Sequence, residues 1–88
     1  MYEFSNKEIS KILEELANLL EIKGENKFKV RAYQNISRKI TTLNKDIEKL
    51  VEDEKLQEVK GIGEGIAKEI NEIFENGFSP ALEELKTE

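Results

Sequence analysis

Apolar residues recur at intervals of three and four positions through most of this sequence, and that periodicity limits the fold more than any other feature. The interval keeps apolar side chains on one face of an α-helix, whereas a half-buried strand would alternate apolar and polar residues. Glycine, asparagine and proline separate the apolar series from one another. The sequence therefore predicts an all-α fold, a small bundle of about five helices.

The first helix has clear boundaries. Ser5 followed by Glu8 has the spacing of a capping box, in which two side chains satisfy free amides at the start of a helix. The helix is therefore predicted to begin near Asn6. Gly24 suits a left-handed C-cap, which predicts an end near Lys23.

The later helices have weaker signals at their ends. A second helix is predicted over about residues 28–42 from its apolar series. Asn44 is expected to cap a short third helix, and Leu56 and Val59 are expected to lie on a short fourth helix. The apolar series that starts at Ile66 predicts a fifth helix.

Composition narrows the class of protein. At 88 residues the chain is expected to form one domain, residues 1–88, and to act as a monomer. It contains no cysteine and no histidine, which excludes disulfides, imidazole catalysis and the usual zinc sites. The sequence has no leader-like start and no apolar run long enough for a membrane span, so no membrane partner is expected.

Charge is distributed unevenly along the chain. The net charge is −5, yet the segment 27–45 holds six basic residues and no acidic residue. Helical geometry places four of its polar side chains on one face, here called the basic face: Lys27, Arg31, Gln34 and Arg38. Lys29 and Lys39 flank this face. Such a face could contact a phosphate backbone, or it could simply be a solvated surface of the helix.

A Gly-Ile-Gly turn follows between two apolar series. Together "LQEV", "KGIG" and "EGIAKEINEIF" form a helix-hairpin-helix pattern at about residues 53–76. Gly61 and Gly63 are expected to adopt positive φ and to allow close approach of a ligand, while Ile62 anchors the turn in the core. The helix that follows directs its first amides, including that of Gly65, outward, where an anion is favoured. The same turn could also be a plain connection between helices.

These motifs together carry a resemblance. "NKEISKILEELANLLEIKGENKFKVRAYQNISRKI" and "LVEDEKLQEVKGIGEGIAKEINEIFENG" resemble the N-terminal domain of family X DNA polymerases of the bacterial and archaeal type, with "KFKVRAY" and "GIG" as the most specific parts. The resemblance implies a domain that holds gapped or nicked DNA at its 5′-phosphate side, in base excision repair. It also implies a cytoplasmic, nucleoid-associated protein. The polymerase catalytic domain itself is absent from these residues.

The resemblance also suggests individual contacts. It places Phe28, Lys29 and Tyr33 at the pocket for the DNA end, although the apolar register of Tyr33 favours the core. It implies a monovalent cation, Na+ or K+, on the backbone carbonyls of Gln57, Val59 and Ile62. The predicted DNA contacts are Lys27, Lys29, Arg31, Tyr33, Gln34, Arg38, Lys39, Gly61, Ile62, Gly63 and Gly65.

Some family members also remove a 5′-deoxyribose phosphate through a lysine that forms a Schiff base. Glu69 stands at the position of that lysine, and Gly65 stands where a supporting lysine would be. Glu69 is expected to face solvent, and Lys68 should lie about 100° away around the helix. The chain is therefore expected not to be an enzyme.

Two alternatives stay open at this level. The chain could be a protein-interaction module that keeps the hairpin as a scaffold and works through its acidic C-terminal half. It could also retain a residual lyase activity through Lys68 or Lys29.

Lys60 stands before Gly61 where the family commonly has proline, so a looser turn is expected.

Overall fold

The computed structural model describes residues 1–87. They form five α-helices and one 3₁₀ turn, with no strand among them. The helices are α1 (Asn6–Ile22), α2 (Lys27–Thr42), α3 (Ile47–Glu52), α4 (Glu64–Asn76) and α5 (Pro80–Lys86), and the 3₁₀ turn is Leu56–Glu58. The prediction of an all-α fold is confirmed. In residues 1–87 no helix combines the length and the apolar content that crossing a membrane requires.

The capping box at the start of α1 is formed as predicted. The Ser5 hydroxyl oxygen accepts the Glu8 N–H at 3.1 Å, and the Ser5 N–H donates to the Glu8 carboxylate at 2.9 Å. The helix ends before Gly24, whose φ of +81° makes the left-handed turn that favours glycine. Both ends of α1 therefore follow from local sequence.

The predicted cap of the third helix was wrong. Asp46, not Asn44, caps α3, and its side chain accepts the Glu48 N–H at 3.1 Å. The reason is a distant side chain, because Asn6 binds the loop before α3 from the start of α1. Its amide donates to the Lys45 carbonyl at 2.8 Å and its carbonyl accepts the Ile47 N–H at 2.7 Å. These bonds keep residues 44–45 in the loop, so that α3 begins only after Asp46.

The predicted fourth helix is only a 3₁₀ turn, after which Val59 is extended. Glu54, with φ +56°, ends the preceding segment, and Gly61, with φ +101°, reverses the chain shortly afterwards. Too few residues lie between these two points for an α-helix. Leu56 and Val59 are nevertheless both buried, as their apolar register predicted.

Helices α1 and α2 pack closely through a pair of buried serines. The Ser10 hydroxyl donates to the Ser37 carbonyl at 2.6 Å, and the Ser37 hydroxyl donates to the Ser10 carbonyl at 2.8 Å. Buried hydroxyls are costly unless they are hydrogen-bonded, so this reciprocal pair fixes the register of the two helices. It thereby fixes which side chains of α2 face the rest of the bundle.

Candidate nucleic-acid interface

The turn between the 3₁₀ segment and α4 is packed directly onto α2. Gly61 has φ +101°, and a Cβ atom built on it would lie 2.8 Å from Cδ1 of Ile36. Ile62 is 4% exposed, and its N–H donates to the Val59 carbonyl at 3.0 Å. Glycine is required at position 61 for two reasons, its backbone conformation and its contact with α2. The predicted anchoring by Ile62 is confirmed.

The second glycine of the motif acts differently from the prediction. Gly63 has φ −89°, which any residue can adopt, so the expected positive φ was wrong there. A Cβ atom on Gly63 would meet nothing within 4 Å. The chain has already reversed at Gly61, and Gly63 only enters α4 as its N-cap. Its missing side chain leaves the start of α4 open to a ligand.

The N-terminus of α4 offers free backbone donors to solvent. Gly63 has no side chain that could cap them, and the first intrahelical bond runs from the Ala67 N–H to the Gly63 carbonyl at 2.9 Å. The amides of Glu64, Gly65 and Ile66 come before that bond. Gly63, Glu64 and Gly65 are exposed, so an anion can reach these amides.

A lysine of α2 ties the basic helix to the hairpin turn. The Lys39 ammonium donates to the Lys60 backbone carbonyl at 2.8 Å. Gly61, the residue after Lys60, packs on Ile36, which lies one helical turn before Lys39 on α2. Two side chains of α2, those of Lys39 and Ile36, thus contact the hairpin turn, and the looser turn expected from the lysine at position 60 stays a prediction.

The basic face carries acidic neighbours that the segment itself does not contain. Three of the four residues predicted to share this face, Lys27, Arg31 and Gln34, line one cleft. Glu21 and Glu25 line the same cleft from the end of α1 and the turn after it. Carboxylates next to these cations reduce the positive potential at the start of α2. The later part of α2 lies outside that cleft, and Arg38 there is exposed.

A second cleft brings together the residues that the resemblance assigned to the DNA end. Tyr33 and Lys29 both line it, so the structure joins these two predicted contacts. Tyr33 is also only 7% exposed, and its predicted core position is confirmed. Burial, and then the charge of Glu69, raise the pKa of Tyr33 to about 12. Phe28 lies outside this cleft and is 82% exposed.

Glu69 lines the cleft with Tyr33, and the expectation that it faces solvent was wrong. It is half-buried, and the Ser79 hydroxyl donates to its carboxylate at 3.4 Å. Burial raises the pKa of Glu69, and the negative charge of Glu72 adds to that rise. The Ser79 hydrogen bond and the charges of nearby lysines oppose the rise in its pKa. The buried apolar residues of α4 fix the rotation of the helix about its axis. This rotation directs Glu69 toward α2 and α5.

Lys68 lies elsewhere, as its rotation on the helix predicted. It is exposed and lines a different cleft with Glu64, Glu72 and Glu75. It therefore lies outside the cleft that Tyr33, Lys29 and Glu69 line.

The carbonyls suggested for a monovalent cation have suitable chemistry. Neutral carbonyl oxygens are common ligands of Na+ and K+. The Val59 carbonyl accepts the Ile62 N–H, but a carbonyl oxygen has a second lone pair. Gln57, Val59 and Ile62 therefore fit such an ion by donor type. The Lys39 ammonium on the adjacent Lys60 carbonyl is a positive charge that competes with it.

Two residues that shape this surface were missed from the sequence. Lys60 was judged only as a departure from proline, and Asn6 only as the start of α1. A sequence signal for Lys60 exists, because a lysine next to a glycine turn that follows a basic helix can add to the positive charge of that surface. No sequence signal marks Asn6, because its bonds to the loop before α3 span a large separation along the chain.

Comparison with known proteins agrees with this geometry. Residues 4–78 match a family described as a helix-hairpin-helix domain. A "DNA polymerase/3′-5′ exonuclease PolX" of Bacillus subtilis (strain 168) is 35% identical over 82 residues. That match covers 93% of this chain but 14% of the polymerase, so the chain spans a small part of that relative. The matches confirm the resemblance that the sequence motifs indicated.

Proposed function

Because the chain belongs to the helix-hairpin-helix domain family, we propose that it is a DNA-binding module that grips the sugar-phosphate backbone without reading base sequence. Its DNA is gapped or nicked, and the module holds the side that carries the 5′-phosphate. The related polymerase supports a role as the DNA-holding part of a family X repair polymerase. Such a role places the chain on the nucleoid of a prokaryotic cell.

One observation carries this proposal. The 2.8 Å bond from the Lys39 ammonium to the Lys60 carbonyl joins the basic helix to the turn that presents the α4 amides. The bond brings one cation of α2, that of Lys39, to the turn that precedes the free amides of α4, and both suit a phosphate backbone. A cation on the carbonyls of Gln57, Val59 and Ile62 would further hold the turn in shape.

Amide chemical shifts during a DNA titration test the proposal. We expect residues 61–66 and 27–38 to shift when a gapped duplex with a 5′-phosphate is added. Affinity should fall for the same duplex with a 5′-hydroxyl and fall further for intact duplex, as gel-shift or anisotropy titrations would measure. If residues 61–66 stay in place while α2 shifts, the hairpin is a scaffold. If no DNA binds, the protein-interaction alternative is favoured.

The module alone is expected to have no lyase activity. A Schiff base requires an uncharged amine, and Glu69 stands at the position of the family's lysine. Lys29 lines the same cleft, but three carboxylates, those of Glu25, Glu69 and Glu84, line it as well. Borohydride trapping with an incised abasic site should therefore give no covalent adduct above that of a lysine-free control peptide. An adduct that disappears in Lys29→Ala or in Lys68→Ala would contradict this assignment.

A further inference from the structure

A third cleft along α2 lies beside the hairpin and includes Lys39, one of the predicted DNA contacts. The end of α2, the loop before α3 and the first arm of the hairpin form its walls. Its charged lining consists of three lysines and one glutamate: Lys39, Lys45, Lys60 and Glu58. Here it is called the lysine cleft. The excess of positive charge makes it attractive to an anion.

The charges of the other two clefts on α2 are different. In the cleft with Tyr33, Lys29 faces Glu25, Glu69 and Glu84. In the cleft at the start of α2, two basic and two acidic residues balance each other. The charged lining is net negative in the first cleft, balanced in the second and net positive in the lysine cleft, which therefore favours an anion most among the three.

Hydrogen bonds hold the Lys39 side chain and the backbones of Lys60 and Lys45 at this cleft. The Lys39 ammonium donates to the Lys60 carbonyl at 2.8 Å, which fixes one side chain and the backbone of the other. An ammonium group has three protons, so Lys39 keeps two for a ligand. The backbone of Lys45 is fixed because its carbonyl accepts the Asn6 amide at 2.8 Å. A ligand therefore has little backbone to order when it binds.

We propose that the lysine cleft binds a phosphate group of the DNA, at a site separate from the amides of α4. The inference rests on the proposed function and adds a second anchoring point to it. Lysine ammoniums act as point charges toward phosphate, and the Asn44 side chain in the same cleft supplies an amide donor. The phosphate is either an internal diester or the terminal 5′-phosphate.

A double substitution with a matched control tests this site. Lys45→Gln/Lys60→Gln removes two positive charges and leaves Lys39 in place. Lys7→Gln/Lys11→Gln removes the same charge from exposed positions of α1 outside the three clefts. We expect the first variant to lose about tenfold in DNA affinity and about one unit of salt slope between about 50 and 200 mM salt. The control variant should retain the wild-type slope.

The DNA used in each arm identifies the phosphate. If the loss appears equally with intact duplex and with gapped duplex, the cleft holds a diester. If it appears only with 5′-phosphorylated gapped duplex, the cleft holds the terminal phosphate. If both variants bind every duplex alike, the inference is wrong, even where wild-type residues 61–66 shift with DNA and support the proposed function. If the wild-type chain binds no DNA, both proposals fail.

Discussion

Substitution of Gly61 by valine should destabilise the protein by about 3 kcal/mol, because it combines backbone strain with overpacking. A β-branched residue is strained at φ +101°, and its Cβ would lie 2.8 Å from Cδ1 of Ile36, which is 2% exposed. Thermal and urea unfolding followed by circular dichroism measure the effect. For a domain of this size the midpoint should drop by more than about 10 °C.

Gly63→Ala is the matched control, because Gly63 has φ −89° and open space at its Cβ position. Its stability should stay within about 0.5 kcal/mol of wild type, as for other exposed substitutions. A double-mutant cycle with Ile36→Val then separates the two costs, since that change removes the clashing methyl group. The part of the lost unfolding free energy that Gly61→Val/Ile36→Val recovers measures the overpacking. The part that is not recovered measures the backbone strain. Equal stability of Gly61→Val and Gly63→Ala would contradict the packing described for the turn.

Reversing two charges of the basic face should nearly abolish DNA binding. Arg31→Glu/Arg38→Glu removes two cations and adds two anions on an exposed surface of α2. Affinity for gapped duplex should fall by at least about 100-fold at moderate salt, and the salt slope should fall by about two units. Fluorescence anisotropy with labelled DNA gives both quantities, and circular dichroism should show unchanged helicity.

Lys7→Glu/Lys11→Glu controls for net charge in this experiment. It changes the total charge by the same amount but acts on α1. General repulsion between an acidic protein and DNA would weaken both variants alike, whereas a specific footprint weakens only the α2 variant. If affinity in Arg31→Glu/Arg38→Glu stays within about twofold of wild type, the basic face is only a solvated helix surface.

The interface shows where reasoning from sequence reached its limit. The basic face and the glycine hairpin were both recognised as patterns. The electrostatic balance on α2 was not, because Glu21 and Glu25 lie just before the counted segment and Glu69 comes from a distant helix. A charge count along a segment cannot include carboxylates that other helices bring to it. The pairing of Lys60 with Lys39 and Lys45 in one cleft was missed for the same reason, since Lys60 belongs to a separate segment, the hairpin.

The two glycines of the hairpin show the same limit at the level of one turn. Both fit a pattern that predicts positive φ, and only Gly61 adopts it. The sequence shows that a turn is needed between two apolar series. The packing of Ile36 against Gly61 decides which of the two residues makes it.

By itself, the sequence determined the three long helices, α1, α2 and α4, and the faces that they bury. Apolar spacing, the Ser5–Glu8 capping box and Gly24 act within a few residues of one another, and such local interactions can be read along the chain. The tertiary structure alone decided where α3 begins, where Glu69 points and which lysine holds the hairpin. Each depends on a contact between distant segments, such as Lys39 with the Lys60 carbonyl. Those contacts exist only once the packed core has fixed the helices relative to one another.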